Sequence, residues 1–342
     1  MWVRSLVTCG VFAFAALAGA QQFGKMSAVK QNKIGLVVHG GAGTLERNKL
    51  TPQGEREYRA GIENALRAGW EILQHGGSAL DATEAAVRVF EDDPLFNAGK
   101  GSVFNSAGVN EMDAAIMDGK TLRAGTVANL QHVKNPISLA RLVMEKSPHL
   151  MMAGGGAEAF AKEHGIELVD AKYFFTQDRW DALQKVKSAE KAGGNGDKKF
   201  FLSDQDLHGT VGAVALDRNG NLAAATSTGG KTGKLPGRIG DTPIIGAGTY
   251  ANNATCAVSG TGDGEFFIMA TAAHDVSALM EYGHKTLEQA GLAVINKIGK
   301  LGGTGGLIAI DKSGKITLPF NTAGMYRGYV DPSGKFVTEI YR

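Results

Sequence analysis

The sequence is poor in cysteine and has almost no net charge. Of its 342 residues only Cys9 and Cys256 are cysteines, and Cys9 lies in a leading segment that we expect to be removed. A disulfide within the mature chain is therefore excluded. The 36 basic and 34 acidic residues give a net charge of +2 and are interspersed, which argues against nucleic acid or an acidic surface as a partner. We expect a small-molecule or peptide ligand.

Nucleotide-binding motifs are also missing. A buried strand is predicted over residues 34–38, and it runs into His39 and the glycine cluster 40–43. Neither G-x-G-x-x-G nor a P-loop is present, and no acidic ribose partner is apparent, so a dinucleotide site is disfavoured and no organic cofactor is predicted. We expect the cluster to form a tight turn packed against a sheet, with His39 as a hydrogen-bonded histidine at the strand end.

An apolar run at the start of the chain is too short to span a membrane. Arg4 gives a positive beginning, residues 6–17 are apolar, and Ala-Gly-Ala at 18–20 resembles a cleavage site before Gln21. A membrane anchor is the alternative, but no stop-transfer pattern follows. We therefore predict a signal peptide over 1–20 and a secreted or periplasmic protein that has no membrane segment after signal removal.

Glycine, by contrast, is abundant. The 48 glycines occur in clusters without a fixed period, which indicates tight turns and close approach of the backbone. Between the clusters, apolar periodicity and capping residues predict helices over 53–75, 78–92, 135–146, 263–283 and 286–300.

Small and β-branched residues predict three hairpins, over 111–120, 210–228 and 306–318. The lysine- and glycine-rich segment 185–209 cannot build a core and is predicted to be a flexible linker. Small residues on both faces of the strands imply layers on both sides of the sheet. The order of strands and helices then predicts an α/β fold, a four-layer αββα sandwich.

The linker gives way to a strand whose first residue is Thr210. A cut between Gly209 and Thr210 would place a hydroxyl and a free α-amino group on one residue. The amine, with an unperturbed pKa of about 7.7–8.0, could take the hydroxyl proton and so activate a nucleophile. On these residues alone an ordinary strand residue is the simpler interpretation, and only the downstream motifs favour a cut.

Five motifs follow one another between residues 208 and 265. They are His-Gly-Thr-Val-Gly (208–212), Thr-Ser-Thr-Gly-Gly (226–230), Lys-Leu-Pro-Gly-Arg-Ile-Gly-Asp-Thr-Pro (234–243), Gly-Ala-Gly-Thr-Tyr-Ala-Asn-Asn (246–253) and Ser-Gly-Thr-Gly-Asp-Gly-Glu (259–265). This series resembles the plant-type asparaginases, also called isoaspartyl peptidases, of the N-terminal nucleophile (Ntn) hydrolases. The resemblance extends over most of the chain and rests on the order and spacing of all five motifs.

The resemblance implies a threonine hydrolase that cleaves itself. Thr210 would be the nucleophile, released by autocleavage after Gly209 and using its own amine as base. Thr228 would hydrogen-bond the nucleophile and tune it. Thr261 and Gly262 would face the scissile carbonyl of the bound substrate, with the Gly262 N–H in the oxyanion hole.

A pair of charged residues would recognise the substrate. By resemblance, Arg238 would clamp the α-carboxylate as a fork, Asp241 would pair with the α-ammonium, and the Gly264 carbonyl would help to hold it. From the residues alone, Arg238 and Asp241 could instead form a surface ion pair. Thr249 and Asp263 are positions at which relatives vary, and Asp263 beside the ammonium pocket could favour cationic substrates.

The loop over residues 94–101 would contribute both to the oxyanion hole and to a sodium site. Asn97 lies in a Phe-Asn-Ala-Gly sequence, where the resemblance implies that its amide joins the oxyanion hole, whereas from its residue type it could serve only its own turn. The main chain here also resembles a sodium-binding turn, and a structural sodium is expected. Its candidate ligands are Glu91, Asp93, Phe96, Ala98 and Lys100.

The implied activity is hydrolysis of L-asparagine and β-aspartyl (isoaspartyl) dipeptides. The chain would mature into an α subunit (21–209) and a β subunit (210–342), which together form one Ntn-hydrolase domain and self-associate as an (αβ)2 heterotetramer. Two alternatives remain open, a glycosylasparaginase and a non-catalytic amino-acid-binding protein. His-Gly before the nucleophile favours an isoaspartyl peptidase, because glycosylasparaginases typically carry His-Asp there.

Overall fold

The computed structural model describes residues 33–43, 50–192, 209–331 and 333–342, which belong to one compact unit. The described helices are α1 (Pro52–Gln74), α2 (Ala79–Asp92), α3 (Pro136–Lys146), α4 (Gly154–Glu163), α5 (Gln177–Ala192), α6 (Gly264–Ala270), α7 (Ala272–Glu281) and α8 (Leu287–Lys300). None of these described helices has the length and apolar character needed to cross a bilayer.

The described strands are β1 (Gly35–Gly43), β2 (Met112–Asp118), β3 (Ala124–Leu130), β4 (Met151–Ala153), β5 (Val211–Leu216), β6 (Leu222–Thr228), β7 (Thr249–Ala251), β8 (Cys256–Gly262), β9 (Gly305–Asp311), β10 (Ile316–Thr317), β11 (Gly324–Val330) and β12 (Phe336–Tyr341). They form two sheets, so the fold is mixed α/β as the sequence predicts.

The larger sheet has eight strands in the order β12-β11-β1-β5-β6-β2-β3-β4, and only the β3–β4 pair is parallel. Alternate residues of its central strands belong to different cores. Ala213 and Ala225 pack with the apolar residues of α1, α2 and α3, whereas Val214 and Ala224 pack with residues of the second sheet. Because side chains alternate along a strand, even-numbered residues of β5 and β6 face the second sheet.

The smaller sheet has four strands in the order β10-β9-β8-β7. Cys256 and Val258 of β8 share a core with the apolar faces of α6, α7 and α8. Ala257 lies in the core between the two sheets, so Ser259 and Thr261, which follow it at intervals of two, face that space as well. The space between the sheets therefore receives polar residues from both of them.

The glycine cluster is strand rather than turn. Strand β1 continues through Gly43, with an irregularity in its pairing with β11 between His39 and Gly41. A Cβ on Gly40 would lie 2.5 Å from the ring of Phe96, and a Cβ on Gly41 would lie 2.6 Å from the Gly209 nitrogen. The predicted tight turn is wrong because these glycines are required by close packing across the sheet.

Two of the predicted segments have different boundaries. The helix predicted over 263–283 is broken at Thr271, whose φ of +51° is left-handed. Helix α5 extends to Ala192, so the first eight residues of the predicted linker 185–209 are helical, and residues 193–208 lie outside the described residues. The predicted signal over 1–20 lies outside them too.

Candidate active site

Thr210 and Thr228 meet at the edge of the space between the sheets. Thr210 directly precedes β5, and Thr228 ends the neighbouring strand β6. Thr210 Oγ1 donates to Thr228 Oγ1 at 3.1 Å, and both residues are buried. Thr228 Oγ1 also accepts from the Gly230 N–H at 2.9 Å, which fixes its orientation toward Thr210.

Strand β8 brings Thr261 and Gly262 to the same place from the opposite sheet. A Cβ on Gly209 would lie 2.8 Å from Thr261 Oγ1, so this hydroxyl faces the residue before the predicted cut. Thr261 Oγ1 is buried and has no hydrogen-bond partner within the described part of the chain. Gly262 has a φ of +146°, and a Cβ there would lie 2.4 Å from the Thr304 carbonyl oxygen, so glycine is required.

A cavity of about 270 Å³ opens beside the two threonines. Its charged lining residues are Lys231, Arg238 and Asp241. Small and polar residues form the rest of its wall, namely Ala42, Gly43, Gly209, Thr210, Thr228, Gly230, Gly240, Gly262, Thr304, Asn321, Thr322 and Ala323. The cavity suits a small polar ligand that carries charges of both signs.

Arg238 and Asp241 lie close together in the wall but are not paired through a hydrogen bond that the structure shows. Arg238 instead donates to Glu265, from Nε at 2.9 Å and from Nη2 at 2.8 Å. Asp241 is buried, and its Oδ2 has no partner among the described residues. Burial raises the pKa of Asp241 to about 7, although the nearby Arg238 guanidinium lowers it. Asp241 is thus a buried carboxyl with room for a cationic partner.

Gly264 lies against the side chains of both Arg238 and Asp241. A Cβ on Gly264 would lie 2.7 Å from Asp241 Oδ1 and 3.0 Å from Arg238 Nη2. Any larger residue would therefore occupy the space beside the two charges.

Asp263 is already neutralised by a lysine. Lys231 Nζ lies 2.7 Å from Asp263 Oδ1 and 3.7 Å from Glu265 Oε2, while Asp263 Oδ2 accepts from Thr304. Burial acts to raise the pKa of Asp263, but these contacts outweigh it and the pKa is lowered. This arrangement weakens the expectation that Asp263 attracts cationic substrates.

Asn97 lies behind the cavity rather than in its wall. Its Nδ2 donates to the Gly230 carbonyl at 2.7 Å, and its Oδ1 accepts from the Val103 N–H at 3.0 Å. A Cβ on Gly229 would lie 2.5 Å from Asn97 Oδ1, so the amide packs tightly beneath the segment that carries Thr228. Asn97 thus supports the backbone of this segment.

The candidate sodium loop combines free and occupied carbonyl groups. The Leu95 N–H donates to Asp93 Oδ1 at 3.0 Å and not to the Glu91 carbonyl, which lies at the negative C-terminal end of α2. The carbonyls of Phe96 and Ala98 each accept one main-chain hydrogen bond, which leaves each a second lone pair. These oxygens fit a hard cation such as sodium, and the described residues contain no acidic, histidine or cysteine side-chain cluster suited to a metal.

The side chains of the loop are engaged elsewhere. The Glu91 carboxyl is fully buried and accepts from Ser227 Oγ at 2.6 Å and from the Ile137 N–H at 3.0 Å. Burial raises its pKa to about 8, against the effect of these hydrogen bonds. Lys100 places its Nζ 5.6 Å from the centre of the Tyr173 ring. Neither side chain is expected to bind a metal, and only their carbonyl groups are candidates.

Sequence reasoning missed Lys231 and Glu265 as neighbours of the candidate substrate pair. Both residues stand within or beside the motifs that carry the resemblance, and both are charged. Lys231 lines the cavity and Glu265 contacts Arg238, and both placements depend on contacts between distant loops that no local pattern identifies.

The comparison with known protein families agrees with the threonine pair and the charged cavity described above. A family model described as asparaginase matches residues 32–339. The chain belongs to this asparaginase family. The family resemblance predicted from the five motifs is therefore confirmed.

Individual relatives match this member of the asparaginase family over most of their length. An isoaspartyl peptidase of Escherichia coli is 50% identical over 311 residues, which is 91% of this chain and 97% of the relative. A probable isoaspartyl peptidase/L-asparaginase 2 of Arabidopsis thaliana is 43% identical over 324 residues, 90% of this chain and 98% of the relative. An isoaspartyl peptidase/L-asparaginase of Mus musculus is 46% identical over 291 residues, 85% of this chain and 86% of the relative.

The prediction of a secreted or periplasmic location is wrong. The bacterial and eukaryotic relatives of this asparaginase-family chain are named isoaspartyl peptidase or isoaspartyl peptidase/L-asparaginase, and none of these names indicates an exported protein. The family match begins only at residue 32, beyond residues 1–20 on which the prediction was based. Apolar character at the start of a chain was therefore insufficient evidence for export.

Proposed function

We propose that this chain is a threonine amidohydrolase that hydrolyses β-aspartyl (isoaspartyl) peptides and L-asparagine to L-aspartate. The relatives named isoaspartyl peptidase or L-asparaginase support this activity. The observation that carries it is the Thr210–Thr228 hydroxyl pair, at 3.1 Å, in the wall of a cavity that also presents Arg238 and Asp241. One small cavity thus combines a candidate nucleophile with both charges needed to hold an amino acid.

The nucleophile requires a free amine, so the chain cuts itself between Gly209 and Thr210. In the mature enzyme the Thr210 amine takes the proton of Oγ1 while Oγ1 attacks the β-carbonyl carbon. The Gly262 N–H stabilises the oxyanion, and Asn97, which donates to the Gly230 carbonyl, fixes the neighbouring backbone.

The intermediate then collapses into products. The protonated amine of Thr210 passes its proton to the leaving nitrogen, and the C–N bond breaks to release an amino acid or ammonia. Water attacks the resulting β-aspartyl ester of Thr210, the same amine accepts the water proton, and aspartate leaves as the hydroxyl is restored.

Substrate recognition explains why the β-linkage is cut. Arg238 binds the α-carboxylate, and Asp241, with the Gly264 carbonyl, binds the α-ammonium. The group beyond the β-carbonyl then points away from these charges, toward the part of the wall where the exposed Thr304 and the half-buried Asn321 lie. A normal α-aspartyl peptide lacks the free α-carboxylate that Arg238 needs, so it is not a substrate.

The fold and assembly belong to the same proposal. The two sheets with separate helix-facing cores support a four-layer αββα sandwich of the Ntn-hydrolase type. Cleavage yields an α piece that ends at Gly209 and a β piece over 210–342, which self-associate as (αβ)2. A structural sodium would be held by main-chain oxygens of Glu91, Asp93, Phe96, Ala98 and Lys100.

A competition assay tests the activity. The purified enzyme is given equal amounts of β-Asp-Leu, α-Asp-Leu, asparagine and a glycosylated asparagine, and products are separated by mass. We expect β-Asp-Leu to be cut with the highest kcat/KM, asparagine more slowly, and α-Asp-Leu not at all. Fast release of sugar would identify a glycosylasparaginase instead, and binding of aspartate without turnover would indicate a non-catalytic binding protein.

A further inference from the structure

His39 lies fully buried behind the candidate nucleophile. Its Nδ1 is 2.9 Å from the Thr210 carbonyl oxygen, and its Nε2 is 2.8 Å from Ser259 Oγ. A carbonyl oxygen can only accept, so Nδ1 must carry the hydrogen. Burial lowers the pKa of His39 to about 3, although the Thr210 contact acts to raise it, and the ring is neutral. Nε2 is then an acceptor, and Ser259 donates to it.

Because His39 Nε2 accepts a hydrogen bond, the donor and the acceptor in each following hydrogen bond along a row of hydroxyl groups are also determined. Because Ser259 gives its only hydrogen to His39, it must accept from Thr226 Oγ1, at 2.7 Å. Thr226 in turn accepts from Thr249 Oγ1, at 2.6 Å. All of these side chains are fully buried, and they come from β1 and β6 of the large sheet and β7 and β8 of the small one. The chain therefore holds the imidazole from both sheets.

The backbone leaves room for this contact. A Cβ on Gly212 would lie 2.0 Å from Ser259 Oγ and 2.4 Å from His39 Nε2. Gly212 stands two residues after Thr210 and faces the same side of β5. The absence of a side chain there lets His39 and Ser259 meet directly behind the nucleophile.

We infer that His39 is a positioning residue for Thr210, and that the Thr210 carbonyl and the hydroxyl chain through Ser259 and Thr226 together hold His39 in its Nδ1–H form. The inference rests on the proposed function, in which a cut frees the amino side of Thr210. Thr210 is then tethered covalently only through its carbonyl carbon. The His39 N–H fixes the peptide plane from which the amine and hydroxyl of Thr210 project, and small misplacements of reacting groups are costly.

The first test is spectroscopic and needs no activity. Nitrogen-15 spectra of the histidine side chains at about pH 7, with His39→Asn used to assign the signal, report which ring nitrogen carries the hydrogen. We expect a protonated Nδ1 and an unprotonated Nε2 in the wild-type enzyme. In Ser259→Ala the Nε2 shift should change because Nε2 loses the hydroxyl that donates to it, whereas Nδ1 should stay protonated because the Thr210 carbonyl still accepts from it. A His39 protonated at Nε2 would overturn the inference even if the enzyme is active.

The second test is kinetic. Ser259→Ala and His39→Leu should lower kcat on β-Asp-Leu about 10- to 100-fold and change KM little, because neither residue touches the cavity. His39→Asn keeps a donor near the Thr210 carbonyl and should recover part of the loss. Each kcat is divided by the fraction of chains that have been cut, which a denaturing gel measures. Slow maturation is then distinguished from slow turnover.

A matched control removes another buried hydroxyl pair. Ser277 and Thr255 share a hydrogen bond of 2.6 Å, and Ser277 is buried away from the cavity wall. Ser277→Ala should keep the wild-type kcat. If Ser259→Ala and Ser277→Ala have equal kcat values, His39 has only a structural role. An inactive wild-type enzyme would instead contradict the proposed function.

Discussion

Arg238 directs both Nε and Nη2 at one carboxylate oxygen of Glu265, at 2.9 and 2.8 Å. The same guanidinium lines the cavity above the buried Asp241. Two of the five N–H donors of Arg238 are therefore already used by a half-exposed side chain. Substrate must displace Glu265 or share Arg238 with it.

Glu265→Gln should lower KM for asparagine about two- to fivefold and leave kcat unchanged. The neutral amide competes less well for the guanidinium, and exposed ion pairs of this kind contribute about 0.2–1 kcal/mol. Steady-state kinetics with Glu288→Gln, an exposed glutamate at the start of α8, as control would measure the effect. A higher KM in Glu265→Gln would mean that Glu265 orients Arg238 rather than competing for it.

Arg238→Lys should raise KM strongly while the chain still matures. Lysine keeps the charge but cannot present two parallel donors to a carboxylate, so kcat/KM on asparagine should fall about 10- to 100-fold, as for a lost hydrogen bond to a charged group. The two bands on a denaturing gel should be unchanged. An unaltered kcat/KM would remove Arg238 from the substrate site.

The pKa of Asp241, raised to about 7 by burial, predicts a loss of substrate binding in acid. Below this pH the carboxyl is protonated and cannot pair with the α-ammonium, so kcat/KM for asparagine should fall as the pH decreases through about 7. The Thr210 amine also becomes protonated in this range, and the two effects must be separated.

Succinamic acid, which lacks the α-amino group, separates them. It requires the Thr210 amine but not an ionised Asp241. The ratio of kcat/KM for asparagine to that for succinamic acid should therefore fall about tenfold per pH unit below pH 7. A ratio independent of pH would show that Asp241 does not hold the ammonium.

Lys231 should determine how the enzyme treats cationic leaving groups. It lies 2.7 Å from Asp263, and Lys231→Met would leave the Asp263 carboxylate uncompensated. The kcat/KM of β-Asp-Lys relative to β-Asp-Leu should then rise about two- to fivefold. Lys285→Met, at an exposed position away from the cavity, is the control. An unchanged ratio would show that Asp263 does not face the leaving group.

Much of the fold could be predicted because the residues that determine its helices and hairpins lie close together in the sequence. Helices α1 and α2 follow from apolar spacing and from Ser78, whose Oγ accepts from the Asp81 N–H at 3.1 Å. The hairpin of β5 and β6 follows from two runs of small residues around a turn. The glycines at 40 and 41 were misread because contacts with Phe96 and Gly209, distant in sequence, determine their conformation.

The candidate site was predictable only in part. The pairing of Thr210 with Thr228 followed from the family motifs, and strand alternation places both hydroxyls between the sheets. The contacts of His39 with Thr210 and Ser259 span 171 and 220 residues, and no periodicity carries such information. The pairing of Arg238 with Glu265 similarly depends on how two loops pack.

The measurement that tests the central claim most directly is the intact mass of the purified protein, combined with amino-terminal sequencing of each piece. For the wild-type chain we predict two pieces, one of which begins Thr-Val-Gly-Ala at Thr210. Thr210→Ala should give one uncut chain without activity. A single active wild-type chain, or a cut Thr210→Ala protein, would contradict the assignment of Thr210 as a self-released nucleophile.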